Sequence, residues 1–240
     1  MATYDRDRGE VVLRIVYDGL AFVGKTENLR SLERSFRDRS RAPLESPMLT
    51  SSGRTQYFDW LELAVGFVDD TPARCQVLSV PGQFALADRR VFLLRRADAV
   101  VFVCESTADG ARSAQRAFRS LSRALANVER SIPIVVQANM QDREGAIEPS
   151  EVAKLLGAHS DAASHRFVGS SALSDDGVRP TFLVALAAAR DNARDVIARD
   201  GLDALAHPDA SPRALFEAMT HPDPEHDAIV QAVLDAALDD

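Results

Sequence analysis

With 240 residues, 46% of them apolar and 27% charged, the chain can form one α/β domain with its own core and a short appendage. Its net charge of −8 excludes broad nucleic-acid binding, which needs a basic face. No apolar run reaches the roughly 18 residues of a membrane-spanning helix. Cys75 and Cys104 have no close partner and no metal-ligand spacing, so both read as buried thiols of a reducing, cytoplasmic environment.

Met1 to Glu10 is charged, lacks an apolar export segment and reads as an N-terminal tail. Val11 to Tyr17 is a β-rich run ending at Asp18-Gly19, and a helical pattern begins near Lys25. Ser40 to Gly53 reads as a long functional loop. Trp60 to Val68 and Arg74 to Val80 predict a hairpin around the turn signal Asp69-Asp70-Thr71-Pro72. A short helical segment follows Pro81-Gly82-Gln83. Ala99 to Cys104 has no alternation and suits a strand buried on both faces.

Helical spacing of Ala111, Ala114, Phe118, Leu121, Leu125 and Val128 predicts a helix, and Ile132 to Gln137 a second buried strand. Ser150 to Leu156 reads as a short helix, Arg166 to Gly169 as the last strand, and Pro180 to Ala198 as a long helix. The alternation predicts an α/β fold over residues 11–200, with a mostly parallel central sheet and helices on both faces. From Gly201 to Asp240 the composition shifts toward two short helices, each preceded by His-Pro-Asp. This C-terminal extension reads either as packing on the domain or as a partner-binding element. His207, His221 and His226 read as cap residues rather than metal ligands.

Gly19-Leu20-Ala21-Phe22-Val23-Gly24-Lys25-Thr26 fits the phosphate-loop pattern of glycine, any four residues, then Gly-Lys-Ser/Thr, in the strand-to-helix setting that pattern requires. The glycines let backbone N–H groups turn inward, the helix N-terminus adds positive potential, Lys25 reaches the β- and γ-phosphates and the Thr26 hydroxyl ligates Mg²⁺. Nearly every other cation in the chain is arginine: Lys25 and Lys154 are the only lysines. Position 25 therefore keeps a compact point charge where a planar fork would serve less well.

Val80-Pro81-Gly82-Gln83 occupies the place where phosphate-loop proteins carry the γ-phosphate-sensing turn, and Gln83 is a candidate for orienting water. Asn139-Met140-Gln141-Asp142 follows a strand, and the Asp142 carboxylate can accept from both guanine N1 and N2, a donor pair that adenine lacks. Ser170-Ser171-Ala172-Leu173 follows the last strand and can offer a backbone N–H to guanine O6. Any one of these loops reads as an ordinary turn. Four in order, each after a strand, point to a guanine-nucleotide site.

With these motifs the chain resembles the Ras-like small GTPases, and among them the bacterial MglA type, over roughly residues 11–200. The likeness is closest from Ile15-Val16-Tyr17 to Asn28-Leu29, at Arg54-Thr55 with Tyr57-Phe58-Asp59-Trp60, and from Val80-Pro81-Gly82-Gln83 to Asp98-Ala99-Val100-Val101-Phe102-Val103. As in that type, Ser79 stands two residues before Pro81, where most Ras-like proteins have an aspartate that helps hold Mg²⁺ through water. The resemblance implies Thr55 as a mobile-loop magnesium and γ-phosphate ligand, Arg54 as an arginine finger in cis, and Gln83 as the water-positioning residue. It also implies GTP hydrolysis, switching between GTP and GDP states, a role in cell polarity or motility, a roadblock-fold activating partner and a GTP-dependent effector.

Four departures stand out. Ala21 replaces a glycine near the γ-phosphate, pointing to slow hydrolysis, since a misplacement of about 1 Å can cost ~100-fold. Met140 replaces the usual lysine of the base-reading motif. Glu27 adds negative charge beside the phosphates unless it turns outward. Gly53 replaces an acidic residue before Arg54. The second reading is accordingly a hydrolysis-deficient nucleotide-binding module for protein interaction. A third, an ATP-dependent kinase or ATPase, leaves Asn139 to Asp142 unexplained. The C-terminus, Leu-Asp-Asp, has no lipidation cysteine, so direct membrane insertion is not expected.

Overall fold

The computed structural model describes residues 2–41, 43–45, 58–80, 87–126, 128, 130–158, 165–205 and 215. Along them run β1 (Thr3–Asp5), β2 (Glu10–Asp18), α1 (Lys25–Ser35), β3 (Asp59–Val68), β4 (Thr71–Ser79), α2 (Ala87–Arg95) and β5 (Ala99–Glu105). Then come α3 (Ala108–Ala126), β6 (Ile134–Asn139), α4 (Pro149–Leu156), β7 (His165–Gly169) and α5 (Val178–Asp200). Arg54, Thr55, Gly82, Gln83 and most of the expected C-terminal extension lie outside the described residues.

The strands form one sheet in the order β3-β4-β2-β5-β6-β7, with β1 also paired to β2. The β4-β2-β5-β6-β7 pairings are parallel; β3 runs antiparallel to β4, and β1 to β2. The expected α/β sheet with an early hairpin is therefore present. Residues 3–5, read from sequence as tail, instead extend the sheet, with Thr3 opposite Val12 and Asp5 opposite Glu10. Three residues are too few to show a periodicity.

Residue alternation divides the core. Leu13, Ile15 and Tyr17 of β2 face Leu29 and Leu32 of α1 and Phe182, Ala185 and Ala189 of α5. Val16 faces the opposite side with Leu78, Phe102, Phe92 of α2, Phe118 and Leu121 of α3, and Val152 and Leu156 of α4. Phe36 meets Phe182 edge-on at 5.4 Å on the first side, and Phe102 meets Phe118 edge-on at 5.1 Å on the second. Central strands apolar on both faces are what helices covering both faces require.

Two boundaries moved for identifiable reasons. Pro72, read as part of a turn, lies in β4 opposite Phe67, just before β2 joins β4 at Ala73, so its missing N–H breaks no bond to β2. β6 begins at Ile134, beyond Pro133, and runs on through Gln137 and Asn139. That extension, past the expected end at Gln137, carries Asn139 into the site. Cys75 and Cys104 are buried free thiols. Burial raises the Cys75 pKa well above its ordinary value and that of Cys104 to about 12. After α5, a 3-10 turn at Leu202–Leu205 buries Leu205 against the first core half.

Candidate functional site

The carboxyl ends of β2, β5, β6 and β7 carry the loops that matter. Between β2 and α1, the phosphate loop is held tightly: a Cβ on Gly19 would lie 2.1 Å from the Val103 carbonyl oxygen of β5, and one on Gly24 would lie 2.5 Å from Asn139 Nδ2. Gly24 also has φ +92°, where a side chain is strained. Both glycines are thus required by close approach. Phe22 has φ +65° with its side chain 97% exposed, and Met140 of the base-reading loop has φ +68°. Two of the four described non-glycine residues with positive φ therefore sit in these loops.

Lys25, the first residue of α1, is buried, and its Nζ donates to the carbonyls of Gly19 at 3.0 Å and Leu20 at 2.6 Å. Burial pushes its pKa down to about 8, with Asp18 opposing the shift, Arg90 adding to it and Asp59 opposing it. Among the described residues no carboxylate forms an ion pair with this ammonium. A desolvated cation over inward-turned backbone suits an anionic ligand.

Thr26 supplies the next group. Its hydroxyl donates to Asp59 Oδ2 at 2.6 Å, and the Ser79 hydroxyl donates to the same oxygen at 2.8 Å. Asp59 and Ser79 are opposite one another in the β3–β4 pairing. Ser79 leaves no carboxylate at the end of β4, and the buried Asp59 provides one from the neighbouring strand. Sequence reasoning assigned Asp59 no role. The signal available was an acidic residue beginning a strand opposite the position where an aspartate was missing.

A hydroxyl that ligates a cation through its oxygen must point its hydrogen elsewhere, and Asp59 Oδ2 accepts the hydrogen bond that Thr26 donates. The donor set therefore fits a hard divalent ion shared with phosphates, such as Mg²⁺.

Asn139 ties the loops together. Its Nδ2 donates to the Val23 carbonyl at 2.8 Å, while its Oδ1 accepts from Ser170 Oγ and the Ala172 backbone N–H, each at 3.0 Å. A second buried tie lies beneath: Gln137 Nε2 donates to Asn28 Oδ1 at 2.8 Å, and Asn28 Nδ2 to the Gly24 carbonyl at 2.9 Å. Gln137 and Asn28 were also missed, although a glutamine within an apolar strand was a visible signal. The Asp142 carboxyl is exposed.

Five further candidates are placed as follows. The N–H groups of Ser171 and Ala172 already serve Asp176 O at 2.9 Å and Asn139 Oδ1 at 3.0 Å. Leu173 is 81% exposed. Glu27 turns its carboxylate to Arg30 at 3.2 Å and Arg34 at 3.5 Å, and Arg34 also pairs with Asp175 at 2.6 Å. Ala21 is exposed on the loop.

A phosphate loop after the first long strand, joined through one asparagine to two loops at the ends of β6 and β7 of a mostly parallel sheet, defines a Ras-like G domain. The chain is 31% identical over 150 residues to the mutual gliding-motility protein MglA of Myxococcus xanthus (strain DK1622), covering 61% of this chain and 76% of that protein. It belongs to the Ras-like small GTPase family of the MglA type. No protein-family profile matches it. Among the described residues no helix is long and apolar enough to cross a membrane.

Proposed function

We propose that this protein is a cytoplasmic GTP/GDP switch that binds guanine nucleotide with Mg²⁺ and hydrolyses GTP to GDP and phosphate, slowly unless a partner assists. The observation that carries this reading is the Asn139 junction, which joins the phosphate loop to both loops suited to reading a base. Lys25 would hold the β- and γ-phosphates, and Asp142 would accept from guanine N1 and N2. Thr26 and Thr55 would ligate Mg²⁺, with Asp59 orienting the Thr26 hydroxyl. The metal, when bound, supplies positive charge against the phosphate oxygens. Gln83 would position water and Arg54 would offset charge in the transition state, roles that rest on the family resemblance.

The relative's name is that of a gliding-motility protein, and we extend that to a role for this chain in cell polarity or motility. Its partners would be a roadblock-fold activator and an effector that reads the GTP-ordered surface. The test is to identify the nucleotide released on denaturing purified protein, and to titrate GDP, a non-hydrolysable GTP analogue and ATP with Mg²⁺. Guanine nucleotide bound in preference to ATP is the expected result; ATP preference, or no binding, defeats the proposal. The second reading, binding without turnover, is favoured by Ala21. Single-turnover hydrolysis with and without a roadblock partner decides it.

Asp59 gives a separate prediction. Asp59→Asn keeps the shape but weakens the acceptor for two hydroxyl protons, so the Mg²⁺ concentration needed for tight GTP-analogue binding rises about 10- to 100-fold. Magnesium titration of nucleotide retention measures it. An unchanged Mg²⁺ requirement would mean that Asp59 only braces the β3–β4 pairing.

A further inference from the structure

Asp18 is the last residue of β2, buried one position before Gly19. A fixed negative charge at the foot of an anion-binding loop opposes phosphate and competes for Lys25. Arg90 meets it with a two-pronged contact: Nε donates to Asp18 Oδ1 at 2.8 Å and Nη2 to Oδ2 at 2.7 Å. Arg90 belongs to α2, the helix that follows Pro81-Gly82-Gln83 in sequence, and its Nη2 also reaches the Ala117 carbonyl of α3 at 3.4 Å. One guanidinium therefore joins α2 and α3 to the foot of the phosphate loop. Lys25 lies close to this pair along the loop, its Nζ donating at 3.0 Å to the carbonyl of Gly19, the residue that directly follows Asp18. The contact contains no phosphate-loop residue, and the motifs read from sequence do not include it.

We propose that Asp18 and Arg90 form a charge-compensating latch that makes the seating of α2 a determinant of nucleoside triphosphate affinity. With Arg90 in place the pair is neutral, and Lys25 serves the phosphates. When α2 carries Arg90 away, Asp18 is left uncompensated and takes the Lys25 ammonium as its counter-ion. Arg90 is thus a positioning residue that acts through Lys25. The inference rests on the GTP-binding reading above.

Charge compensation and simple bracing differ in sign. Under compensation, Arg90→Met lowers affinity for a non-hydrolysable GTP analogue by about 10-fold or more, and for GDP by less, because the γ-phosphate adds charge for Lys25 to meet. Asp18→Asn moves the ratio of GTP-analogue to GDP affinity the opposite way, and the double variant returns it to the wild-type value. Arg90→Lys, which keeps the charge, falls between wild type and Arg90→Met.

Fluorescent-nucleotide titrations on the full chain measure these ratios, with a thermal melt reporting folding. The latch is overturned if folded Arg90→Met keeps the wild-type ratio, or if Asp18→Asn shifts it in the same direction as Arg90→Met. Should Arg90→Met fail to fold, the uncharged double variant decides: a wild-type ratio supports compensation, and a lowered one overturns it. Wild-type protein that binds no guanine nucleotide removes both the latch and the switch reading. Wild-type binding with unresponsive variants removes the latch alone.

Discussion

Lys25→Ala is expected to weaken binding of a GTP analogue by at least about 100-fold, the largest loss of any single side chain in the phosphate loop. Two unit charges about 4 Å apart attract by ~4 kcal/mol at an effective dielectric near 20, and each ~1.4 kcal/mol is tenfold in affinity. Folding moves the other way. Between about pH 8 and its ordinary value of 10.5, the folded protein holds Lys25 with fewer protons than the unfolded chain does. Stability without ligand therefore rises with pH through that window, and the burial works against folding at neutral pH.

Alanine relieves that cost while losing the hydrogen bonds to Gly19 and Leu20. The ligand-free melting temperature should accordingly stay within a few degrees of wild type, while the rise on adding nucleotide disappears. Lys25→Arg should not restore binding, because a planar fork does not fit where a compact ammonium donates to two carbonyls of a tight loop. Calorimetry and thermal melts with and without the analogue measure both parts. Retained affinity would show that the loop is only a turn.

The phosphate loop was legible because its physics demands particular residues: Gly24 because a Cβ would strike Asn139, Lys25 and Thr26 because nothing else supplies those groups at that spacing. The sheet was legible because runs such as Ala99 to Cys104 are apolar on both faces. What stayed hidden were features that depend on pairing across strands. Asp59 acquires meaning only when β3 is set opposite β4, where it faces Ser79. Arg14 is buried in β2 because Gln76 of β4 accepts from its Nε at 3.1 Å and its Nη2 at 3.0 Å. Neither partner is close in sequence, so local periodicity cannot join them.

Asp18 and Arg90 are separated in the same way, 72 positions apart along the chain. Such pairs give a buried charge its counter-charge, and removing one partner typically costs about 3–5 kcal/mol, much of it from the charge left behind. Asp18, Asp59 and Arg90 thus place three charged groups around the ends of β2 and β4 that no linear motif contains. Asp59 meets the phosphate loop at Thr26, and Asp18 directly precedes it with Arg90 as its counter-charge. The motif locates the site, and contacts between elements distant in sequence add charged groups around it.

Asp142→Asn should exchange the preferred base. Guanine presents two donors, N1–H and the N2 amino group, to a group that only accepts, and the ionised, exposed Asp142 carboxylate is such a group. Asparagine offers one acceptor and one donor, so one of the two bonds becomes a donor facing a donor. A site built to hydrogen-bond its ligand rejects a mismatched one by as much as about 10⁴-fold where the groups are buried. Because Asp142 is exposed, a loss of roughly 100-fold for GTP is expected here. Xanthine carries an oxygen where guanine has the amino group, and it should bind the variant better than guanine does, by the same pairing in reverse. The Asn139 bonds that position this loop do not involve the Asp142 side chain, so the phosphate loop should keep its geometry. Competition titrations with GTP and XTP on wild type and variant read the exchange directly. A variant that still prefers GTP would make residues 139–142 a structural turn and move recognition of the base elsewhere.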